Sequence, residues 1–242
     1  MSLHMSTPAV VPVAAVSRQL TLDLVADFTC PWSFLGLRRI ARALRNVQGL
    51  PLPALLRWHG FRLQRPVAAG SAAWRAHLAG RLPAGISVEY AEKGLAEAGE
   101  ELGIRFDFAA IRSVPDTTDA HRLTLLAALE GRHAQVADAI FRGWFERGLD
   151  IGEVSVLEAI GRDSGLGPVA LAAFTEAGAE RDTVIAEEQR LQALGVTNVP
   201  NLLLNGHVLV PGPADVDTYV QALDAALFPG SGPAPAHPRL LN

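Results

Sequence analysis

The chain has 242 residues, 49% hydrophobic and only 19% charged, with a formal net charge of −4. That is enough apolar material for one well-filled domain, with room for a sizeable insertion. The charge balance offers no basic patch for nucleic acid and no charged block for a disordered arm. No apolar run approaches the length of a membrane span. The single cysteine excludes an intramolecular disulfide and a structural zinc site, and the seven histidines show no metal-ligand spacing. There is no Gly-x-Gly-x-x-Gly loop and no Gly-x-Ser-x-Gly elbow. No metal and no tightly bound cofactor is therefore expected.

Residues 1–18 contain two candidate start methionines, Met1 and Met5, and prolines at 8 and 12. Their apolar run lacks a preceding basic segment, so they predict a disordered N-terminus, part of it resembling an expression scar, rather than a signal peptide. With one cysteine and no export signal, a reducing cytoplasm is the expected location.

Alternating Leu20, Leu22 and Leu24 predict a first strand over 20–27, and residues 31–47 a first helix. A loop over 46–53 leads to a second strand over 54–61, giving a parallel βαβ start with a right-handed crossover. From about residue 72 to 195 helical periodicity dominates. Segments 87–102, 119–129, 134–147, 153–162, 167–177 and 180–194 read as helices, the fourth and fifth split by the turn at Gly165-Leu166-Gly167-Pro168. The end of the chain returns to strands. Asn205-Gly206 is a two-residue hairpin signal between Leu202-Leu203-Leu204 and His207-Val208-Leu209-Val210. A closing amphipathic helix follows over 214–227, then a Pro- and Gly-rich flexible tail.

Cys30 stands where the first strand gives way to the first helix. Pro31 suits the first helical turn, where its missing N–H costs nothing. Unpaired N–H groups and the helix dipole at that position favour a thiolate, which predicts a depressed pKa for Cys30. Most lone cysteines are small buried hydrophobes. The junction, the proline and the adjoining Trp32-Ser33 favour a functional thiol instead, with Trp32 shaping access to it.

Cys30-Pro31-Trp32-Ser33 after a strand resembles the Cys-x-x-Cys site of the DsbA-like branch of the thioredoxin superfamily. The run through Phe34-Leu35-Gly36 and the basic helix behind it is most similar to FrnE-type proteins. It also resembles the kappa-class glutathione transferases and 2-hydroxychromene-2-carboxylate isomerases, which carry Ser-Pro-Tyr-Ser there. The resemblance implies an α/β thioredoxin-like fold as one domain over 19–227, with an all-helical insertion at about 65–195 and a tail over 228–242. It further implies that Gly195-Val196-Thr197-Asn198-Val199-Pro200 is a cis-proline loop. Val199 and Pro200 would then offer a main-chain edge to a peptide or to glutathione beside Cys30. Pro115 to Leu123 resembles the FrnE-type segment that starts a helix of the insertion, with Thr118 or Asp119 as N-cap. His121 in that helix is either structural or an ion-pair partner of a thiolate.

The fourth motif position is Ser33, not cysteine. Its hydroxyl can donate to a Cys30 thiolate but cannot resolve a mixed disulfide. Three readings follow. The first is a monothiol thiol–disulfide oxidoreductase of the DsbA/FrnE type, with an outside thiol such as glutathione as co-substrate. The second is a glutathione-dependent isomerase or transferase. The third is a non-catalytic thioredoxin-like binding module with an ordinary Cys30. The Ser-Asp pair that the kappa-like relatives place after the hairpin glycine is changed here to Gly212-Pro213-Ala214-Asp215, leaving Asp215 as the candidate γ-glutamyl ligand. The expected partner is a thiol or disulfide substrate (peptide, glutathione or small molecule), with neither nucleic acid nor membrane. The kappa-like relatives imply a homodimer as one available assembly.

Overall fold

The computed structural model describes residues 21–47, 55–63, 71–176, 178 and 180–228. The expected disordered N-terminus, most of the 46–53 loop and the tail beyond residue 228 lie outside these. Strand β1 (Thr21–Ala26) is buried at every position after Thr21. Leu22 and Leu24 face one layer, and Asp23 and Val25 the other. Both faces are covered because β1 is central in a four-stranded sheet of order β2-β1-β3-β4. Helix α1 (Pro31–Asn46) crosses over to β2 (Leu55–Gly60), which pairs parallel to β1. Strands β3 (Asn201–Leu204) and β4 (His207–Pro211) add antiparallel. Asn205 and Gly206 both adopt positive φ (51° and 82°), as a tight twisted hairpin turn requires.

Helix α9 (Val216–Leu227) packs on α1, and its Tyr219 and Leu223 join Leu22, Leu24 and Leu202 in one core. On the opposite face lies α8 (Arg181–Ala193). Its Leu191 packs with Val25, Phe61, Val196, Val199, Leu203 and Cys30 in a second apolar cluster.

Between β2 and α8 come α2 (Ser71–Ala79), α3 (Val88–Glu100), α4 (Thr118–Leu129), α5 (His133–Phe145), α6 (Val154–Asp163) and α7 (Pro168–Thr175), with one 3-10 turn at Phe108–Ala110. Aromatic packing ties this block to the sheet. Phe141 of α5 is the contact point: Phe28 packs tilted on it at 4.9 Å between centroids, Phe34 stacks on it at 4.9 Å, and Trp58 meets it edge-on at 5.9 Å. Each such pair adds about 0.5–1.5 kcal/mol beyond the area it buries. The block therefore sits over the end of β1 and the start of α1. Helix α2 was not singled out by periodicity. Among the described residues no helix is long and apolar enough to cross a membrane.

Candidate active site

Cys30 is the N-cap of α1, with extended backbone (φ −99°, ψ 111°) and Pro31 in the first helical turn. Its carbonyl accepts from Ser33 N at 3.0 Å and Phe34 N at 3.3 Å, and its own N–H donates to Asp27 O at 3.1 Å. The Val199–Pro200 bond is cis, as expected from the loop motif. It brings Val199 O to 3.7 Å from Cys30 Sγ, so the thiol donates to that carbonyl. Residues 169 apart in sequence thus meet at the site.

Two expectations need correction here. The Val199 main chain is not an open edge in this arrangement: its carbonyl takes the thiol, and its N–H donates to Asn198 Oδ1 at 2.9 Å. The Cys30 thiol, expected to be acidic, is pushed up to about 11. Burial dominates, since Cys30 is only 1% exposed. The Ser33 hydroxyl and the Ser33 and Trp32 N–H groups pull the other way, as the helix start predicts, and the charge on Asp27 adds to the upward push. Helix-terminal stabilisation is a partial-charge effect and loses to full desolvation of a thiolate. The half-buried Trp32 and Leu63 pack over the apolar cluster that holds Cys30, and form its cover. Ser33 is fully buried beside the sulfur, and among the described residues its Oγ has no hydrogen-bond partner of ordinary geometry.

Below the thiol lies a buried carboxylate that sequence reasoning passed over. Asp27 accepts from Thr29 Oγ1 (2.6 Å), Thr117 Oγ1 (2.9 Å) and Leu63 N (3.0 Å). His121 Nε2 stands 3.5 Å from its Oδ1, too long for a firm hydrogen bond. Burial would raise the Asp27 pKa. The His121 ring, the Thr29 hydroxyl and the Leu63 N–H outweigh it and hold the carboxyl at about 2. Trp58 Nε1 donates to His121 Nδ1 at 3.1 Å, so the ring proton sits on Nε2 and faces Asp27. Gly60 permits this: a Cβ there would stand 2.7 Å from His121 Cγ. His121 is thus locked between Trp58 and Asp27.

Helix α4 starts one residue earlier than expected. Thr117 is its N-cap, and the Asp116 carboxylate takes the Thr118 N–H at 2.8 Å, displacing Thr118 and Asp119 from the capping role. The turn after α2 contributes Arg81, which donates to Leu63 O (3.1 Å) and His77 O (3.0 Å) and lies within electrostatic reach of Asp27 and Cys30. His77 is driven down to about 4, by burial first and the Arg81 charge second, so it is neutral. Asp27, Thr117, His77 and Arg81 carried no spacing signal. The visible clue was an acidic residue directly after the first strand, three positions before the cysteine. Asp215 is drawn elsewhere: it is the N-cap of α9, accepting from Thr218 N at 2.7 Å.

A strand-to-helix cysteine facing a cis-proline carbonyl under a helical block is the arrangement by which the chain can be placed. Residues 21–224 match the DSBA-like thioredoxin domain family.

The chain belongs to that family.

Solved structures agree in fold. A probable DsbA oxidoreductase from Streptomyces coelicolor is 24% identical with a TM-score of 0.73, over 90% of this chain and 94% of that one. The cytosolic disulfide reductase DsbM from Pseudomonas aeruginosa, solved with GSH, is 24% identical with a TM-score of 0.62, over 86% and 98%. A 2-hydroxychromene-2-carboxylate isomerase is 15% identical with a TM-score of 0.59, over 86% and 94%. No curated protein matches the chain significantly. In this DsbA-like protein the fourth position of the Cys30-Pro31-Trp32-Ser33 motif is Ser33, and Cys30 is the one cysteine of the sequence.

Proposed function

We propose that this DsbA-like protein is a thiol–disulfide oxidoreductase that works through Cys30 alone, with an outside thiol completing each cycle. The observation that carries the reading is the approach of Cys30 Sγ to Val199 O across the cis-proline loop, with the buried Ser33 hydroxyl beside the sulfur. In the resting protein the sulfur is a covered, protonated thiol. Displacing Trp32 and Leu63 admits water and removes the burial that raises its pKa. The Ser33 hydroxyl and the Ser33 and Trp32 N–H groups then favour the thiolate.

The chemistry balances in two exchanges. Cys30 S–H reacts with a disulfide R–S–S–R′: the Cys30–S–S–R bond forms, the R–S–S–R′ bond breaks, and R′S⁻ leaves with the proton. A second thiol R″SH, glutathione being the chemical class in mind, attacks the mixed disulfide. R″S–SR forms, and Cys30 regains its proton. Substrate pairing along Val199 requires the Asn198 and Cys30 hydrogen bonds to yield. Asp27, held near pKa 2, and His77, held near 4, are poor bases at neutral pH. The proton therefore passes to the leaving thiolate or to water.

The test is mass spectrometry of the native protein treated with oxidised glutathione. The expected result is one glutathione on Cys30, released by reduced glutathione, with Cys30→Ala unmodified. No adduct on the native chain, with full modification after unfolding in urea, would refute the reading.

A further inference from the structure

Away from Cys30, a cleft of about 680 Å³ lies along the outer edge of β2, walled by α4 and α8. Its volume falls within the roughly 300–1,000 Å³ of small-molecule sites. Leu125 and Ala128 of α4, Ala186 of α8 and Trp58 of β2 supply apolar walls. Arg57 and Arg190 stand at its rim, their side chains 52% and 54% exposed.

The charge of the cleft follows from geometry. His59 Nε2 lies 2.9 Å from Asp23 Oδ1, and its Nδ1 lies 2.5 Å from Glu187 Oε1. A carboxylate can only accept, so both ring nitrogens carry protons and His59 is an imidazolium. Arg57, Arg190 and His59 thus face Asp23 and Glu187, leaving one positive charge in excess; the remaining titratable residue on the lining is His133 of α5. Arg57 uses only Nε toward Asp23, and Arg190 uses Nε and one terminal nitrogen toward Glu187. Guanidinium donors are left at the rim without an acceptor among the described residues.

The strand edge adds backbone groups. Phe61 N donates inward to Ala26 O, and Leu56 O faces outward to His133 Nε2. Alternation then turns the N–H and C=O of Trp58 outward, toward the cleft.

We infer that this cleft is a second ligand site, taking a small organic monoanion with an apolar body, its carboxylate on Arg57 and Arg190 and its body between α4 and α8. The inference is independent of the chemistry proposed for Cys30.

Calorimetric titration of the full chain with 4-phenylbutyrate and with its neutral amide, 4-phenylbutyramide, tests it. One acid per chain is expected, bound at least about tenfold tighter than the amide, the factor that one charge-assisted hydrogen bond supplies. The paired change Arg57→Gln with Arg190→Gln is expected to erase that preference. Ala186→Phe and Ala128→Phe, from opposite walls, are each expected to abolish binding while far-UV circular dichroism stays unchanged; should one misfold, the other decides. Cys30→Ser is expected to bind as the parent does. Equal affinity for acid and amide, no heat at millimolar ligand, binding that survives both phenylalanine variants, or binding lost in Cys30→Ser would each overturn the assignment.

Discussion

Asp27→Asn isolates the buried carboxylate without changing its shape. Asp27 is 1% exposed and takes donors on both oxygens: Thr29 and Leu63 N on Oδ2, Thr117 on Oδ1, with His121 Nε2 at 3.5 Å. An amide offers one acceptor oxygen and one NH₂. If the NH₂ replaces Oδ2 it faces the Leu63 N–H, which cannot turn away. If it replaces Oδ1 it sets a second donor against the His121 Nε2–H, which has no close acceptor among the described residues, and the Thr117 hydroxyl must turn to accept. The first orientation orphans a buried donor, the second opposes two donors, and in both the remaining bonds lose their charge. Orphaning a buried donor costs about 1–3 kcal/mol. Linkage gives an independent figure. The folded pKa of about 2 is depressed from 3.8, which corresponds to roughly 2–3 kcal/mol of stability. That stability is present above the unfolded pKa and is lost as pH falls toward 2. We expect Asp27→Asn to lose about 3 kcal/mol at pH 7 in urea unfolding, or about 6–12 °C in Tm for a chain of this size. The gap between parent and variant should narrow as pH falls from about 4 toward 2. In the same variant the Cys30 pKa should fall, because the Asp27 charge raises it. A loss below about 0.5 kcal/mol, or a gap unchanged at acid pH, would refute the view that this carboxylate clamps α4 to the active-site turn.

Ser33→Ala removes the hydroxyl that lowers the Cys30 pKa, so iodoacetamide alkylation at a fixed neutral pH should slow, with the pH midpoint moving upward; a faster rate would sink the role given to Ser33. Gly60→Ala drives a methyl to 2.7 Å from His121, and overpacking of this kind costs about 1–3 kcal/mol, read as a lower urea midpoint; an unchanged midpoint would mean that His121 is not locked. His59 is pulled down by burial but raised overall by Asp23 and Glu187, so its contribution is complete below the unfolded value of 6.5 and fades as pH rises through the higher folded value. In His59→Gln that alkaline loss should vanish from the stability–pH curve, and its persistence would place the titration elsewhere.

Much of this architecture could be read locally. Alternation marked β1, the Asn205-Gly206 pair marked the hairpin, and period-3.6 apolar spacing marked α3 to α9, because each signal is contained in a few adjacent residues. Cys30-Pro31 marked the strand–helix junction for the same reason, and the loop motif marked the cis Val199–Pro200 bond. Local reasoning failed where a long-range environment decides the property. A helix start lowers a thiol's pKa, but whether water reaches the thiol depends on Trp32, Leu63 and the α8 cluster folding over it, and burial reversed the direction. Asp27 looked like the last residue of a strand. Thr29 is a local donor, but only the packing of α4 and of Leu63 beside that strand supplied the other donors and the burial. His121 stood between two roles in the sequence, and the Trp58 indole, 63 residues away, chose its tautomer. The chain by itself determined which residues form the elements and put its one cysteine at the start of α1. The tertiary structure alone decided the protonation of that sulfur, the partners of its neighbours and the cleft along β2, because desolvation and pairing depend on atoms that sequence distance does not bring together.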